Sequence, residues 1–127
     1  KNAWCGIFSP MPQMLNLARQ LHTQVDVYII SNTGKIHWDY LQERFPLSEL
    51  CKDAFASFEV GQMKPVAAIY KTAEKRFNFT PEEVVFIDDR QENVAGAEAC
   101  GWQAILHRSY GETRDTLIGL GLDLPAG

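Results

Sequence analysis

The sequence lacks the features that would place it in several large classes. It has no apolar run long enough to cross a bilayer. Its first residues include one lysine but no apolar stretch of the kind a signal peptide needs. There is no basic block, and the net charge is −4 from 12 Lys and Arg against 16 Asp and Glu. Nucleic acid and anionic membrane surfaces are therefore not expected as partners. Only three cysteines occur, Cys5, Cys51 and Cys100, far apart and without a C-x-x-C pair. That excludes a disulfide framework and a cysteine zinc site, and fits a reducing, cytoplasmic compartment. Repeats and low-complexity tracts are absent. What remains is ordinary for a globular domain with a real core: 127 residues, 46% hydrophobic and 22% charged.

The most informative stretch runs from Val84 to Asn93. Val84, Val85, Phe86 and Ile87 lead directly into Asp88 and Asp89, and a polar stretch then gives way to Ala95, Ala97 and Ala99. A continuous apolar run of this kind predicts a parallel strand buried on both faces, ending in acid and turning into a helix. Ligands of open α/β sheets bind at the carboxyl ends of strands, and paired carboxylates there suit a hard cation such as Mg²⁺. The same residues also fit a capping box, with Asp89 as N-cap and Glu92 three residues on. The cap does not account for Asp88, because neighbouring carboxylates repel unless something positive lies close.

Along the chain, residues 1–11 read as a connector. A helix follows through Met14, Leu17, Ala18 and Leu21, then a strand over 25–30 ending in Ser31-Asn32-Thr33-Gly34. Helices are expected over 36–44 and 47–52, and a weaker strand over 55–60. Pro65 fits the first position of a helix carrying Ile69, Ala73 and Phe77 on its apolar face. Thr80-Pro81-Glu82-Glu83 is a capping box before the strand at Val84. Gly101 suits the position just past a helix end. A last strand covers 103–107, a helix 112–120, and a tail 124–127. Alternating strands and helices predict a mostly parallel α/β sheet.

Three polar groups fall at strand ends or helix starts. Ser31, Asn32 and Thr33 form a turn and N-cap, or a phosphate cradle of hydroxyl and backbone N–H groups. Lys64 precedes Pro65, outside the helix and at the positive end of its dipole. A surface lysine gains nothing there, whereas a lysine sharing a bound anion with the helix does. Asn93 lies four residues after Asp89, so both can face one side of the first turn, as metal-site partners or as a solvated face.

The order strand-S-N-T, K-P-helix, strand-D-D-x-x-x-N resembles the haloacid dehalogenase-like hydrolase superfamily. The likeness is greatest to its phosphatase branch with a small helical cap, which includes sugar-phosphate phosphatases and the phosphatase domain of soluble epoxide hydrolases. Ser31-Asn32-Thr33 matches the second motif of that family, Lys64 the third, and Asp88-Asp89 with Asn93 the fourth. The resemblance implies a Rossmann-like three-layer fold with a parallel sheet. It also implies Mg²⁺-dependent hydrolysis of a small phosphorylated substrate through an aspartyl-phosphate. In that scheme Ser31 and Lys64 are catalytic, and together with Asn32 and Thr33 they bind substrate. Asp89, Asp88 and Asn93 hold the metal.

The family's first motif, D-x-D after an apolar strand, is missing: Asp26, Asp39, Asp53, Asp115 and Asp123 have no carboxylate two residues away. The chain is therefore expected to be a partial core domain. Residues 1–9 would return from the cap, 10–110 form the core, and 111–127 form a terminal helix and tail. The nucleophile and the first, central strand would be absent. An upstream segment of the same protein, another chain or a non-native strand would have to complete the sheet. Such a piece is expected to be inactive alone. The alternatives are a non-catalytic binding or regulatory domain of the same fold, and a haloacid dehalogenase. A two-component receiver domain is excluded because its acids come first and its lysine last.

Overall fold

A computed structural model of the chain describes residues 5–8, 12–22, 24–44 and 47–122. The strands are β1 (Cys5–Phe8), β2 (Asp26–Ser31), β3 (Asp53–Ala56), β4 (Val84–Asp88) and β5 (Gln103–Leu106). Helices α1 (Pro12–Leu21), α2 (Lys35–Arg44), α3 (Leu47–Leu50), α4 (Ser57–Val60), α5 (Ala67–Phe77), α6 (Gln91–Ala99) and α7 (Tyr110–Gly119) connect and cover them. The strands pair in parallel in the order β3-β2-β1-β4-β5. The fold is thus α/β, and it matches the expected three-layer, Rossmann-like class. The expected absence of a central strand is corrected: Cys5–Phe8, read as a connector, lies between β2 and β4. Both neighbours are buried strands whose inner backbone groups need partners, and the apolar stretch Cys-Gly-Ile-Phe supplies them. The tail expected over 124–127 lies outside the described residues.

The unalternating strands are buried on both faces, as their composition predicts. Val27 and Ile29 of β2, with Val85 and Ile87 of β4, enter an aliphatic cluster with Leu17, Leu21, Leu41, Leu50 and Leu117. Tyr28 and Ile30, with Val84 and Phe86, enter an aromatic cluster with Phe55, Tyr70, Phe77, Phe79 and Trp102. Phe86 is wholly buried and meets the rings of Tyr70 and Trp102 edge-on, each at 5.8 Å. Burial of such a side chain stabilises by roughly 1.5–3 kcal/mol.

Local signals fix most boundaries. Thr80 and Glu83 exchange capping bonds around a single 3₁₀ turn with Pro81 at its start. Gly101 adopts φ +86° after α6, and the amides of Gly101 and Trp102 return to Glu98 O and Ala97 O at 2.9 and 3.1 Å. Several boundaries differ from expectation: α7 begins at Tyr110 rather than 112, and α3 ends at Leu50 rather than 52. The strand expected over 55–60 ends at Ala56, and α4 follows because Glu59 Oε1 accepts from the Ala56 amide at 2.9 Å. Helix α5 begins at Ala67, two residues after Pro65. Among the described residues no helix is long and apolar enough to cross a membrane.

Candidate active site

The sheet brings the polar groups to one edge. Strand order reverses at β1, and β2 and β4 end on either side of it, in Ser31 and Asp88. Crevices at such a reversal are where α/β proteins place ligands. A cleft of about 490 Å³ opens there, lined by Ser31, Asn32, Thr33, Lys64 and Asn93 together with His37, Met63, Pro65, Arg90 and Glu92. Five of the residues singled out in the sequence therefore line one cleft, while Asp88 and Asp89 are not among its lining residues.

Lys64 is not a surface lysine. Its side chain is 1% exposed, and its amine donates to Asp88 Oδ2 at 2.8 Å and to Ile30 O at 3.0 Å. The amine also lies 5.5 Å from the centre of the Phe86 ring. Burial lowers the Lys64 pKa, while the charge and hydrogen bond of Asp88, and then the charge of Asp89, oppose that shift. An ammonium has three donors. Two are placed within the protein, leaving one to offer an anion.

Asp88 is fully buried, and both of its oxygens are engaged. Oδ2 accepts from Lys64 and, at 3.2 Å, from Asn93 Nδ2; Oδ1 accepts from the Arg90 amide at 3.0 Å. This corrects the expected capping box: Arg90, not Asp89, is the N-cap residue of α6, and Glu92 pairs with the Arg90 guanidinium at 2.7 Å. Asp88 serves as the counter-ion that lets Lys64 be buried. Asp89 is the opposite. It is exposed, and its carboxylate has no hydrogen-bond or ion-pair partner among the described residues. Its charge still reaches Lys64, Arg90 and His107.

The expected phosphate cradle is divided. Ser31 is 6% exposed, lines the cleft, and has no hydroxyl partner among the described residues. The Thr33 amide and carbonyl are both engaged by Ser57 Oγ, at 2.9 and 3.1 Å, so Thr33 has only its side chain left to offer. The Asn32 side chain is committed to the Lys64 backbone at 2.8 and 2.9 Å. Ser57 was not anticipated; it sat inside a stretch read as strand, and its partner is 24 residues away.

Helix packing holds Asn93 in place. The Tyr70 hydroxyl donates to Asn93 O at 2.8 Å, joining α5 to α6. At Gly96 a Cβ would come within 2.9 Å of Pro65 Cβ and Pro65 O, so only glycine lets α6 approach the Lys64–Pro65 turn this closely.

The residues present suit a hard cation. Asp89 offers an open carboxylate, and Asn93, which lines the cleft and donates to Asp88 through Nδ2, has a side-chain oxygen without a partner among the described residues. No group of three or more His, Cys, Asp or Glu side chains gathers among the described residues. Mg²⁺ is commonly held by one or two carboxylates, keeping waters and substrate oxygens, whereas structural zinc needs a closed ligand set.

Comparison with known proteins gives a consistent picture. The haloacid dehalogenase-like hydrolase family matches residues 3–101. A D-ribitol-5-phosphate phosphatase of Bacteroides thetaiotaomicron is 26% identical over 92% of this chain and 60% of its own length. A sesquiterpene phosphatase of Aspergillus oryzae is 33% identical over 76% of this chain and 50% of its own. The crystal structure of a wild-type HAD-family enzyme from Bacteroides thetaiotaomicron, in complex with magnesium and inorganic phosphate, superposes with a TM-score of 0.71 at 26% identity. It covers 79% of this chain and 54% of that one. The chain thus spans a little over half the length of these relatives.

Proposed function

The chain belongs to the haloacid dehalogenase-like hydrolase family, and on that premise we propose that the whole protein is a Mg²⁺-dependent phosphatase of a small phosphorylated metabolite. The observation that carries the proposal is the meeting of Ser31 and Lys64 at one cleft. One offers a hydroxyl without a partner among the described residues, the other a buried ammonium with a donor to spare. Both are what a phosphoryl group needs as its charge redistributes in the transition state. Phosphatases among the relatives, and the magnesium and phosphate in a related structure, support the same reading.

In this reading Ser31 donates to one phosphate oxygen and Lys64 to another. Asp88 keeps the lysine charged and aimed. Asp89 and the Asn93 side-chain oxygen would hold Mg²⁺, which would supply positive charge to offset the repulsion between phosphate and an attacking carboxylate. The attacking carboxylate of that scheme has no counterpart in β1, Cys-Gly-Ile-Phe, and would have to be supplied from elsewhere in the whole protein; an aspartyl-phosphate would divide one difficult step into two.

A second reading, phosphate binding without hydrolysis, rests on the sequence of β1, Cys-Gly-Ile-Phe, which carries no carboxylate. One experiment separates the two. The full-length protein should hydrolyse an aryl phosphate with Mg²⁺, and Asp89→Ala should remove the Mg²⁺ dependence and most of the turnover. Near wild-type turnover by Asp89→Ala would refute the metal assignment. Absence of hydrolysis by the wild-type protein would favour the binding reading. The 127-residue chain alone is expected to be inactive.

A further inference from the structure

The loop after β2 does more than line the cleft. Two side chains each exchange a pair of hydrogen bonds with the backbone of a distant segment. The Ser57 hydroxyl accepts from Thr33 N at 2.9 Å and donates to Thr33 O at 3.1 Å. The Asn32 side chain accepts from Lys64 N at 2.8 Å through Oδ1 and donates to Lys64 O at 2.9 Å through Nδ2. Each donor has an acceptor, as in a short piece of sheet ladder built from side chain and backbone.

The two pairs act in series. Ser57 stands at the start of α4, directly after β3, and is 6% exposed. It fixes the backbone one residue beyond Asn32. Asn32, so fixed, can hold the backbone of Lys64, 32 residues downstream. The lysine amine then returns to Ile30 O in β2, two residues before Asn32. Lys64 is thus held at its backbone and at its amine by the one stretch Ile30–Asn32. A long, flexible side chain whose two ends are both tied loses the freedom that would otherwise blur its charge.

We propose that Asn32 and Ser57 are positioning residues that set the Lys64 ammonium in register with the Ser31 hydroxyl, without touching substrate through their own side chains. The proposal rests on the phosphatase reading above for its kinetic arm alone. Loss of a positioning contact lowers kcat more than it raises KM, and is silent once the group it positions is gone.

The kinetic test uses the full-length protein, an aryl phosphate and Mg²⁺. Asn32→Ala should lose about thirtyfold in kcat with KM within about threefold of wild type, and should cost nothing further in a Lys64→Ala background. Ser57→Ala should lose about five- to tenfold, again with no added loss in Lys64→Ala, and Ser57→Thr, which keeps the hydroxyl, should restore turnover. Asn32→Asp keeps the acceptor but sets a carboxylate against Lys64 O, and should not rescue. Independent, multiplying losses in the double variants would overturn the proposal, as would a rise in KM alone or wild-type kcat in Asn32→Ala.

Amide exchange decides the point without turnover. The Lys64 amide should be protected in the wild-type protein and exchange at least about tenfold faster in Asn32→Ala, with β4 amides unchanged. A wild-type Lys64 amide that exchanges as freely as the exposed loops would refute the clamp even if a variant failed to fold. If the wild-type protein hydrolyses nothing while this protection holds, the phosphatase reading fails and the clamp stands.

Discussion

Asp88 and Asp89 are neighbours of one chemical type, yet they live in different solvents. Asp88 is wholly buried, with four hydrogen bonds at its carboxylate and carbonyl oxygens: Lys64, Asn93 and the Arg90 amide at the carboxylate, and the His107 amide at the carbonyl, 2.8 Å away. Asp89, one position on, faces water with no such partner among the described residues. Successive residues of a strand point to opposite sides, and here the strand ends between them. The buried half is satisfied within the protein, and the open half faces water. Stability should therefore depend on the first acid and ligand response on the second.

The sharpest way to break this contrast is to exchange the two losses. Asp88→Ala leaves a buried ammonium without its counter-charge and should destabilise the fold by about 3–5 kcal/mol in urea denaturation. Asp89→Ala, which removes an exposed and unpaired group, should stay within about 0.5 kcal/mol of wild type. Replacing the whole pair by Lys64→Met with Asp88→Leu should recover most of the stability lost in Asp88→Ala, since a buried ion pair barely outweighs an apolar pair of similar volume. Equal losses for the two aspartates would show that the burial contrast has no energetic content.

A smaller effect is expected at Gly96, which belongs to the buried half through packing alone. Gly96→Ala places a methyl 2.9 Å from Pro65 Cβ and carbonyl and 3.0 Å from the Tyr70 hydroxyl. The neighbours are backbone and a hydrogen-bonded ring, so relief requires α6 to move off the Lys64–Pro65 turn. The better helix propensity of alanine returns less than the clash removes, and the net loss should be about 1–3 kcal/mol. A stabilised Gly96→Ala variant would show that the approach is looser than it looks.

Much of this architecture was legible in the sequence, and the parts that were not share a cause. The run Val84–Ile87 into acid, the Thr80 capping box and Gly101 are local signals, decided by residues a few positions apart. They read correctly. The N-cap of α6 did not, because Asp88 Oδ1 reaches the Arg90 amide first and moves the helix start past Asp89. Residues 55–60 looked like a strand because four-residue elements are too short for periodicity to decide. β1 was passed over for the same reason: Cys-Gly-Ile-Phe gains meaning only between two strands that need it. Lys64 could be named from its place before Pro65. That its charge is buried against Asp88 and its backbone gripped by Asn32 are facts of pairs 24 and 32 residues apart, which no local pattern contains.

The smallest expected effect carries the comparison to a second pair of like residues. Cys51 is buried and its thiol donates to Leu47 O at 3.2 Å, whereas Cys100 is half-buried beside Gly101. Burial first, and the charge of Asp53 second, push the Cys51 thiol up to about 11. At pH 8 only about one Cys51 in a thousand would then be thiolate, the form that reacts. In a Cys5→Ser background, Ellman's reagent at pH 8 should label Cys100 and leave Cys51 untouched until urea is added. The same shift has a sign in stability. Folding raises this pKa, so the folded chain holds the proton more tightly and the benefit is complete below the ordinary value of 9.0. It fades as pH climbs through about 11. Cys51→Ala should flatten that decline, and a chain in which both thiols react at one rate would show that burial does not divide the cysteines as it divides the aspartates.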